Sequence, residues 1–470
     1  MIPFAFLWDG YGVVFLNCFF GALLCTLFFV ICCNLGFRVK TSLALTLAFG
    51  FSTLIFPYTK FLWDNIESCF FVLLAFYFFQ KFISRTVLRG TEVDSLLSLE
   101  GQSLPDMVAG LLSAAIACLI RPPGIIAFVL LGLFFFIYAN KKQRLGLICL
   151  TLFIATLGLA YNYYSYGHVM GMFAGWGLSN FATMFHDLFP DPSSRGLYGL
   201  YLSFGKSFFI YSPLALLGIF GFRSFYKNNK PLALLSLFFI VCHSVFYSKV
   251  RAWSGDHCWG PRYLLELVPF FILPCGYLLD KDGSFASLWM TRAKPVYVAF
   301  VGLTLLGFFI NLPAILIHPI NITYQYWFDY KIQNNFQHTY QVDEIYSQLQ
   351  LSPVYLSWKA VFDVGHRMKS YKYDPFTTED QRDYAKTMRN EIKENHGVIR
   401  KSALEPFLKK DLGYNVFYFW WLEGWIANNY KGSTMRPFVL KFLAILLSLF
   451  FLSSYLLLNS SFSKQIGHER

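Results

Sequence analysis

The chain has 470 residues, of which 56% are hydrophobic and 20% are aromatic, while only 14% are charged. Soluble domains carry about 25% charged residues, and no water-exposed surface has room for 54 phenylalanines. This composition excludes a soluble globular protein and predicts an all-α polytopic membrane protein.

Apolar runs follow one another up to residue 318, and a last run lies near the C-terminus. A bilayer-crossing helix needs roughly 17–25 mostly apolar residues. Two runs are short and are separated by the residues RPPG, so they form either a bent re-entrant pair or two short crossings. The runs are 11–33, 41–59, 66–83, 106–120, 124–139, 145–164, 206–222, 231–248, 263–279, 295–318 and 436–459.

The distribution of Lys and Arg decides between these alternatives. If both short runs cross, the loops on one side hold 16 cations and the short loops on the other side hold seven. Cytoplasmic loops carry the excess of Lys and Arg. We therefore predict about eleven transmembrane helices, with Arg121 at an outer turn and the C-terminus in the cytoplasm.

The net charge of +12 follows from this topology. No basic cluster is interleaved with aromatic residues outside the membrane, so a nucleic-acid partner is not predicted. We divide the chain into a multi-span domain (1–318), an exported α-rich segment (319–435), and a last helix with a cytoplasmic tail (436–470). The exported segment is too aromatic for a disordered tail and is predicted to be an interfacial cap or an acceptor-binding surface.

The unusual polar residues of the chain lie on the predicted outer face. Asp64 follows Trp63 at the start of a span, which suits a partly desolvated base. Asp256 and His257 have metal-capable side chains, but no spacing there demands a metal; a divalent metal therefore stays one alternative. Charged residues at span ends also commonly extend to the interface without any catalytic role.

Arg262 stands at the start of a span, between Pro261 and Tyr263. A guanidinium at a membrane surface is suited to bidentate phosphate binding. Glu266 follows at i+4 spacing and is the expected helical neighbour of Arg262. Two interpretations follow: Arg262 binds a phosphate, or it pairs with Glu266 or Asp256 and anchors the helix.

Four stretches resemble a known class. They are FGFSTLIFPYTKFLWDNIES, LIRPPG, LYLSFGKSFFIYSPLALLGIFGF and WSGDHCWGPRYLLELVPFF, and they are similar to signature stretches of bacterial multi-span GT-C glycosyltransferases. That class includes the protein O-mannosyltransferase and aminoarabinose transferase families. The resemblance covers roughly residues 10–280.

The resemblance implies an inverting sugar transfer from a polyprenyl-phosphate carrier to an unknown acceptor on the exported face. A carboxylate would be the general base, and cationic groups would stabilise the departing lipid phosphate. In those families the acidic residue lies in a first outer loop, whereas this chain joins the pattern at what would be the second span. The candidate bases are Asp9, Asp64 and Asp256.

The remaining site predictions concern the donor. The expected phosphate-binding residues are Arg262, Arg121, Lys206, Arg195 and His257, and the expected sugar- or lipid-binding residues are Trp253, Trp259 and Tyr263. The aromatic residues would also fit an interfacial aromatic belt. Two other functions stay open: a transporter or flippase for a lipid-linked or anionic substrate, and a non-catalytic membrane protein of this fold.

Overall fold

A computed structural model describes residues 16–61, 63–87, 96–168, 189, 193–250, 253–255, 258–280, 294–316 and 346–367. Within these residues every regular element is a helix, and no strand is present. The all-α class is thereby confirmed for this part of the chain. The predicted span 436–459 lies outside the described residues, as does most of the exported segment.

The helices have the following bounds, in chain order. They are α1 (Leu16–Asn34), α2 (Val39–Phe51), α3 (Ile55–Tyr58), α4 (Asn65–Val87), α5 (Leu96–Ile120), α6 (Ile125–Tyr138), α7 (Lys141–Tyr166), α8 (Ser193–Tyr201), α9 (Phe208–Tyr211), α10 (Leu214–Asn228), α11 (Lys230–Lys249), α12 (Val268–Ile272), α13 (Cys275–Asp280), α14 (Lys294–Leu316) and α15 (Pro353–Arg367). Short 3-10 helices cover Pro122–Gly124, Arg262–Leu267 and Leu349–Leu351.

Six helical segments in the described ranges are long and apolar enough to cross a membrane: Leu16–Asn34, Asn65–Thr86, Lys141–Ser165, Lys230–Lys249, Arg262–Asp280 and Pro295–Leu316. Three shorter apolar helices cover Val39–Phe51, Leu104–Ile120 and Pro122–Tyr138. The chain is therefore an α-helical protein with several candidate membrane spans. The number eleven stays a prediction.

The described residues belong to two compact units. The larger unit takes its described residues from 16–37, 41–312 and 346–356, and the smaller unit from 38–40, 313–316 and 357–367. In the smaller unit, Trp358 stacks on Phe362 one helical turn later, with ring centroids 5.6 Å apart. The domain boundaries predicted at residues 318 and 435 stay predictions.

Helices α4 and α5 pack in antiparallel directions and define two ends of the larger unit. Asp64, just before α4, lies 3.6 Å from Arg121, just after α5. Arg85, in the last turn of α4, lies 2.6 Å from Asp106 of α5. We call these the Arg121 end and the Asp106 end.

Successive segments of the larger unit alternate between these two ends. Helix α1 begins at the Arg121 end, where Asn17 donates to the carbonyl of Trp63 (2.7 Å). It reaches the other end beside α4, where Gln80 donates to the carbonyl of Ile31 (3.3 Å). Helix α14 returns to the Arg121 end with Asn311. The positive-inside topology requires such an alternation, and that topology stays a prediction.

The two short runs form a helical hairpin whose tip is RPPG. In α5, Gly110 has no room for a side chain because the ring of Phe135 in α6 lies against it. Helix α6 extends as far as Phe82 of α4, whose ring centroid lies 5.2 Å from that of Phe135. Since Phe82 is three residues before Arg85, the contact places Phe135 of α6 close to the Asp106 end. That both short runs cross a membrane stays a prediction.

Three predicted spans are interrupted. The span 263–279 consists of a 3-10 helix followed by α12 and α13, and the spans 41–59 and 206–222 each contain two helices instead of one. The breaks in 41–59 and 206–222 face each other: the backbone N–H of Leu54 donates to Ser212 Oγ (3.3 Å), and Gly307 of α14 packs directly on the carbonyl of Ser52. Pro213 contributes to the second break because it has no N–H to donate. Both breaks are buried, with Ser52, Leu54 and Ser212 at 0% exposure, and burial in protein is what non-helical backbone needs in a membrane protein.

Candidate functional site

Three loops meet at the Arg121 end: the loop after α3, the hairpin tip, and the segment before the 3-10 helix Arg262–Leu267. Tyr58 Oη donates to the carbonyl of Trp259 (2.8 Å), and Asn65 Nδ2 donates to the carbonyl of Arg262 (3.0 Å). These bonds join segments that are about two hundred residues apart in sequence. The structure thereby brings together several residues that the sequence places on one face.

Arg121 is positioned by the proline that follows it. Its backbone is extended, with φ −140° and ψ 124°, because a residue before proline avoids the helical region. The turn then packs tightly, and Gly124 has no room for a side chain against the backbone of Ala117 and Cys118. The helix therefore ends at Ile120 and directs the Arg121 side chain into the protein, where it is 9% exposed.

The Arg121 guanidinium links two carboxylates. Its Nε lies 3.6 Å from Asp64 Oδ1 and its Nη1 lies 3.6 Å from Glu266 Oε1, while Nη2 donates to Tyr247 Oη (3.3 Å). Burial alone would lower the pKa of Arg121, but Tyr247, Glu266 and Asp64 raise it above its ordinary value. Arg121 is therefore a permanent buried cation.

Glu266 has different partners from the one predicted. Its side chain is 1% exposed, and its Oε1 accepts a hydrogen bond from Ser68 Oγ (2.6 Å) in addition to facing Arg121. Its second oxygen, Oε2, lies 3.9 Å from His243 Nδ1. Glu266 therefore belongs to a buried network formed with α4, α5 and α11.

The hydrogen bonds of His243 fix its tautomer. Its Nε2 lies 2.8 Å from the carbonyl oxygen of Tyr263, and since a carbonyl only accepts, Nε2 carries the proton. A neutral His243 then presents a bare Nδ1 to Glu266 Oε2, and neither atom has a hydrogen-bond partner among the described residues. Two acceptors face each other unless one of the two side chains carries an additional proton.

Arg262 lies beside this network and is half-buried. Its guanidinium carbon stands 4.0 Å from the centroid of the Trp63 ring, and its Nη2 donates to Tyr263 Oη (3.3 Å). The next residue after Trp63 is Asp64, whose side chain is 51% exposed. The ring that supports the Arg262 guanidinium and the solvent-accessible carboxylate thus belong to consecutive residues.

The aromatic candidates differ in how much surface they offer. Tyr263 is half-buried and stacks on Tyr247, with ring centroids 4.4 Å apart. Trp253 is 4% exposed and Trp259 is 1% exposed; Trp259 also donates from Nε1 to Asn311 Oδ1 (2.9 Å). Their burial gives both tryptophans packing roles, so only Tyr263 of the three offers surface to a ligand.

The other two predicted phosphate-binding cations differ in burial. Lys206 is 0% exposed, and its ammonium donates to the carbonyls of Cys258 (2.7 Å) and Gly260 (3.2 Å). Arg195 is exposed on α8, the helix whose Gly199 packs on Trp253. The hydrogen bonds of Lys206 are those of a structural cation, and the predicted phosphate-binding roles of both residues stay predictions.

Three further candidates, Asp9, Asp256 and His257, lie outside the described residues. Their predicted roles as base, phosphate ligand or metal ligand stay predictions. Among the residues that the structure describes, no group of three or more His, Cys, Asp or Glu side chains is placed to hold a metal ion.

Sequence reasoning missed His243, Tyr247 and Ser68, which complete the buried network. One signal was available for His243, because an ionisable residue within an apolar span marks a functional or structural site by default. Tyr247 and Ser68 carry no such signal, since aromatic and hydroxyl residues are common in membrane helices.

Comparisons with protein-family models, curated proteins and solved structures found no match to this chain. The resemblance to GT-C glycosyltransferases rests on the four quoted stretches alone.

Proposed function

We propose that this protein is a membrane glycosyltransferase that moves a sugar from a polyprenyl-phosphate carrier to an acceptor at the membrane surface. The Arg121 end would be its site. The observation that carries the proposal is a half-buried Arg262 whose guanidinium carbon stands 4.0 Å from the Trp63 ring centroid, together with the half-exposed carboxylate of Asp64, the next residue after Trp63.

Arg262 is suited to the donor phosphate. A guanidinium offers a planar fork of N–H donors that matches two phosphate oxygens, and Trp63 holds that fork in one orientation. In the proposed step the bond between the sugar's anomeric carbon and the phosphate oxygen breaks. The carrier leaves as a polyprenyl phosphate whose added negative charge faces Arg262.

Asp64 is suited to the acceptor. The acceptor's hydroxyl oxygen forms the new bond to the anomeric carbon, and its proton passes to the Asp64 carboxylate. A positioned base typically contributes about 10²- to 10⁴-fold to such a step. Arg121 lies 3.6 Å behind Asp64 and holds that carboxylate in place, because Glu266 and Tyr247 fix Arg121 in turn.

A transporter for a lipid-linked or anionic substrate is the second candidate, and one observation favours it. Glu266 and His243 are buried in two candidate spans, and buried ionisable pairs also serve as proton relays in transporters. The two functions differ in their product. A transferase consumes the lipid-linked sugar and releases polyprenyl phosphate, whereas a transporter returns the substrate intact.

Binding of farnesyl phosphate to the purified protein tests the phosphate site without knowledge of the sugar. Because a hydrogen bond to a charged group contributes about 1.5–3 kcal/mol, Arg262→Ala is expected to weaken binding by roughly 10- to 150-fold. Arg262→Lys keeps the charge but loses the fork, and it should fall between the wild type and Arg262→Ala.

The matched control is Arg144→Ala. Arg144 also stands over an aromatic ring, that of Phe136 at 5.1 Å, but lies on the first turn of α7, away from the proposed site. The Arg144→Ala protein should bind farnesyl phosphate as tightly as the wild type does. Equal binding of farnesol and farnesyl phosphate, or undiminished binding by a folded Arg262→Ala protein, would refute the phosphate site.

The proposal includes an orientation, with the Arg121 end exported and the C-terminus in the cytoplasm of a bacterial inner membrane. Arg195 is exposed on α8 and Lys142 is exposed at the start of α7. In intact cells, a membrane-impermeant maleimide should label Arg195→Cys above the wild-type background and leave Lys142→Cys at that background. The reverse result would contradict both the orientation and the site.

A further inference from the structure

We infer that Lys206 is a positioning residue that fixes the backbone directly before Arg262. This inference deepens the proposed function and depends on it only where ligand binding is concerned. The structural part stands on contacts within the larger unit and is measurable without any substrate.

Lys206 is enclosed and directed at one short segment. Its side chain is 0% exposed, and Nζ donates to the carbonyls of Cys258 (2.7 Å) and Gly260 (3.2 Å). The Tyr346 ring covers the ammonium at 5.2 Å. An ammonium has three N–H donors on one atom, so a single side chain can bind two carbonyls of the same turn.

The carbonyl between these two is held by a different helix. Tyr58 Oη, at the end of α3, donates to the carbonyl of Trp259 (2.8 Å). Three successive carbonyls, from residues 258 to 260, are therefore each bound by a buried side chain. This arrangement leaves the turn little freedom to rotate.

The turn is also sterically confined where it leads to Arg262. Gly260 has a φ of +59°, and a side chain at this position would meet the Tyr211 ring at 2.8 Å. The N–H of Arg262 then donates to the Gly260 carbonyl (3.1 Å), and its own carbonyl accepts from Asn65 (3.0 Å). The backbone is thus fixed on both sides of Arg262, and Lys206 anchors the preceding side.

Loss of the ammonium would leave the buried Cys258 carbonyl without its donor and would remove one of the donors to the Gly260 carbonyl. Unsatisfied buried acceptors drive a local rearrangement, and the nearest route to solvent is opening of the 258–260 turn. Such an opening would displace the Arg262 guanidinium from Trp63. Lys206 would act on the ligand through Arg262, without touching it.

The thiol of Cys258 reports this opening directly. Cys258 is 2% exposed and lies inside the turn, with its Sγ 3.4 Å from Lys206 Nζ. Peptide-resolved mass spectrometry on the full chain, after timed exposure to a small neutral maleimide, measures its labelling rate beside the other nine cysteines. Lys206→Met and Tyr58→Phe should each speed labelling by about tenfold or more, as local opening does.

Tyr297→Phe is the control. Tyr297 is also buried, at 2% exposure, but its hydroxyl donates to the carbonyl of Leu279 (2.7 Å) and not to the 258–260 turn. Its loss should leave the Cys258 rate unchanged. Tyr58→Phe removes a single hydroxyl, so it keeps the test decisive even where Lys206→Met fails to fold. Unchanged labelling in Tyr58→Phe and in folded Lys206→Met would overturn the inference.

Affinity for farnesyl phosphate then connects the turn to Arg262. Both variants should weaken binding by about tenfold, since small displacements of a positioned group carry large costs. If the variants label faster but the wild-type protein does not bind farnesyl phosphate, the positioning role is supported and the phosphate site is refuted. Weaker binding in Lys206→Met with unchanged labelling would show instead that Lys206 binds phosphate itself, which overturns the positioning role.

Discussion

The two ends of the α4–α5 pair carry the same kind of ion pair in opposite arrangements. At the Asp106 end the carboxylate is buried, with 5% of its side chain exposed, and the cations Lys81 and Arg85 are 34% and 38% exposed. At the Arg121 end the arginine is buried, at 9%, and the carboxylate of Asp64 is 51% exposed. One end presents cations to its surroundings, and the other presents a carboxylate.

This difference distinguishes a charge arrangement that reflects membrane topology from one that is suited to catalysis. Exposed cations at the Asp106 end are what the cytoplasmic side of a membrane protein carries, and two neighbouring cations neutralise the one buried carboxylate there. At the other end a buried cation is held by Glu266 and Tyr247, an arrangement that costs desolvation energy. The result is an anchored, half-exposed carboxylate on the residue that follows Trp63, the ring beneath Arg262. An ion pair that only anchors a helix would not require a buried arginine and an exposed carboxylate.

The largest expected effect comes from exchanging the carboxylates at the two ends for amides. Asp64→Asn should lower sugar transfer by about 10²- to 10⁴-fold because the base is lost. It should change stability by less than about 1 kcal/mol, since its carboxylate is half-exposed. Release of polyprenyl phosphate from lipid-linked sugar and a thermal melt in detergent measure the two quantities.

Asp106→Asn is the matched control and should do the opposite. Its buried carboxylate holds Arg85 at 2.6 Å, so the variant should lower the melting temperature while a folded protein keeps its transfer rate. If Asp64→Asn kept full activity, or if both variants lost activity in proportion to their stability, the contrast between the two ends would have no catalytic meaning.

The next largest effect concerns the arginines. Arg121→Met leaves Glu266 buried without its guanidinium partner, and breaking a buried pair from one side costs about 3–5 kcal/mol. Arg85→Met should cost less, because Lys81 still lies 3.6 Å from Asp106 and both cations are partly solvated. Chemical denaturation of the two variants in the same detergent gives the comparison.

A double variant sharpens this comparison. Arg121→Met combined with Glu266→Gln removes the buried charge together with its partner, so it should recover part of the stability that Arg121→Met loses. Equal losses in Arg121→Met and Arg85→Met, or no recovery in the double variant, would mean that Glu266 does not depend on Arg121.

The hairpin and the position of Arg121 at its tip followed from the sequence, because RPPG ends one helix and begins the next and the cation count required both runs to cross. The sequence predicted only that Asp64 and Arg121 lie on the same face of the protein, and it did not predict their contact. Glu266 was assigned to the wrong neighbour. The i+4 rule applies to α-helices, and residues 262–267 form a 3-10 helix, in which residues three apart align instead.

The burial of Lys206 could not be predicted from the sequence either. A lysine before an apolar run is usually a residue that reaches the interface, and nothing local distinguishes it from one that is enclosed. Its carbonyl partners come from residues 258 and 260, which lie more than fifty positions away. The breaks within the predicted spans were missed for the same reason, since only the tertiary contact between Leu54 and Ser212 compensates the interrupted helix.

The smallest expected effect compares Lys60 at the Arg121 end with Lys81 at the Asp106 end. Burial lowers the pKa of Lys60 from 10.5 to about 8, so above pH 8 the native state binds fewer protons at this site than the unfolded state. Unfolding free energy should therefore rise with pH between about 8 and 10.5, and Lys60 should contribute about 1–2 kcal/mol of that rise from pH 8 to 9.5.

Melting curves at about pH 8 and about pH 9.5 should show this rise in the wild type and in the control Lys81→Met, and a smaller rise in Lys60→Met. An identical pH dependence in all three proteins would mean that Lys60 is solvated, and that burial of cations does not distinguish the two ends at this position.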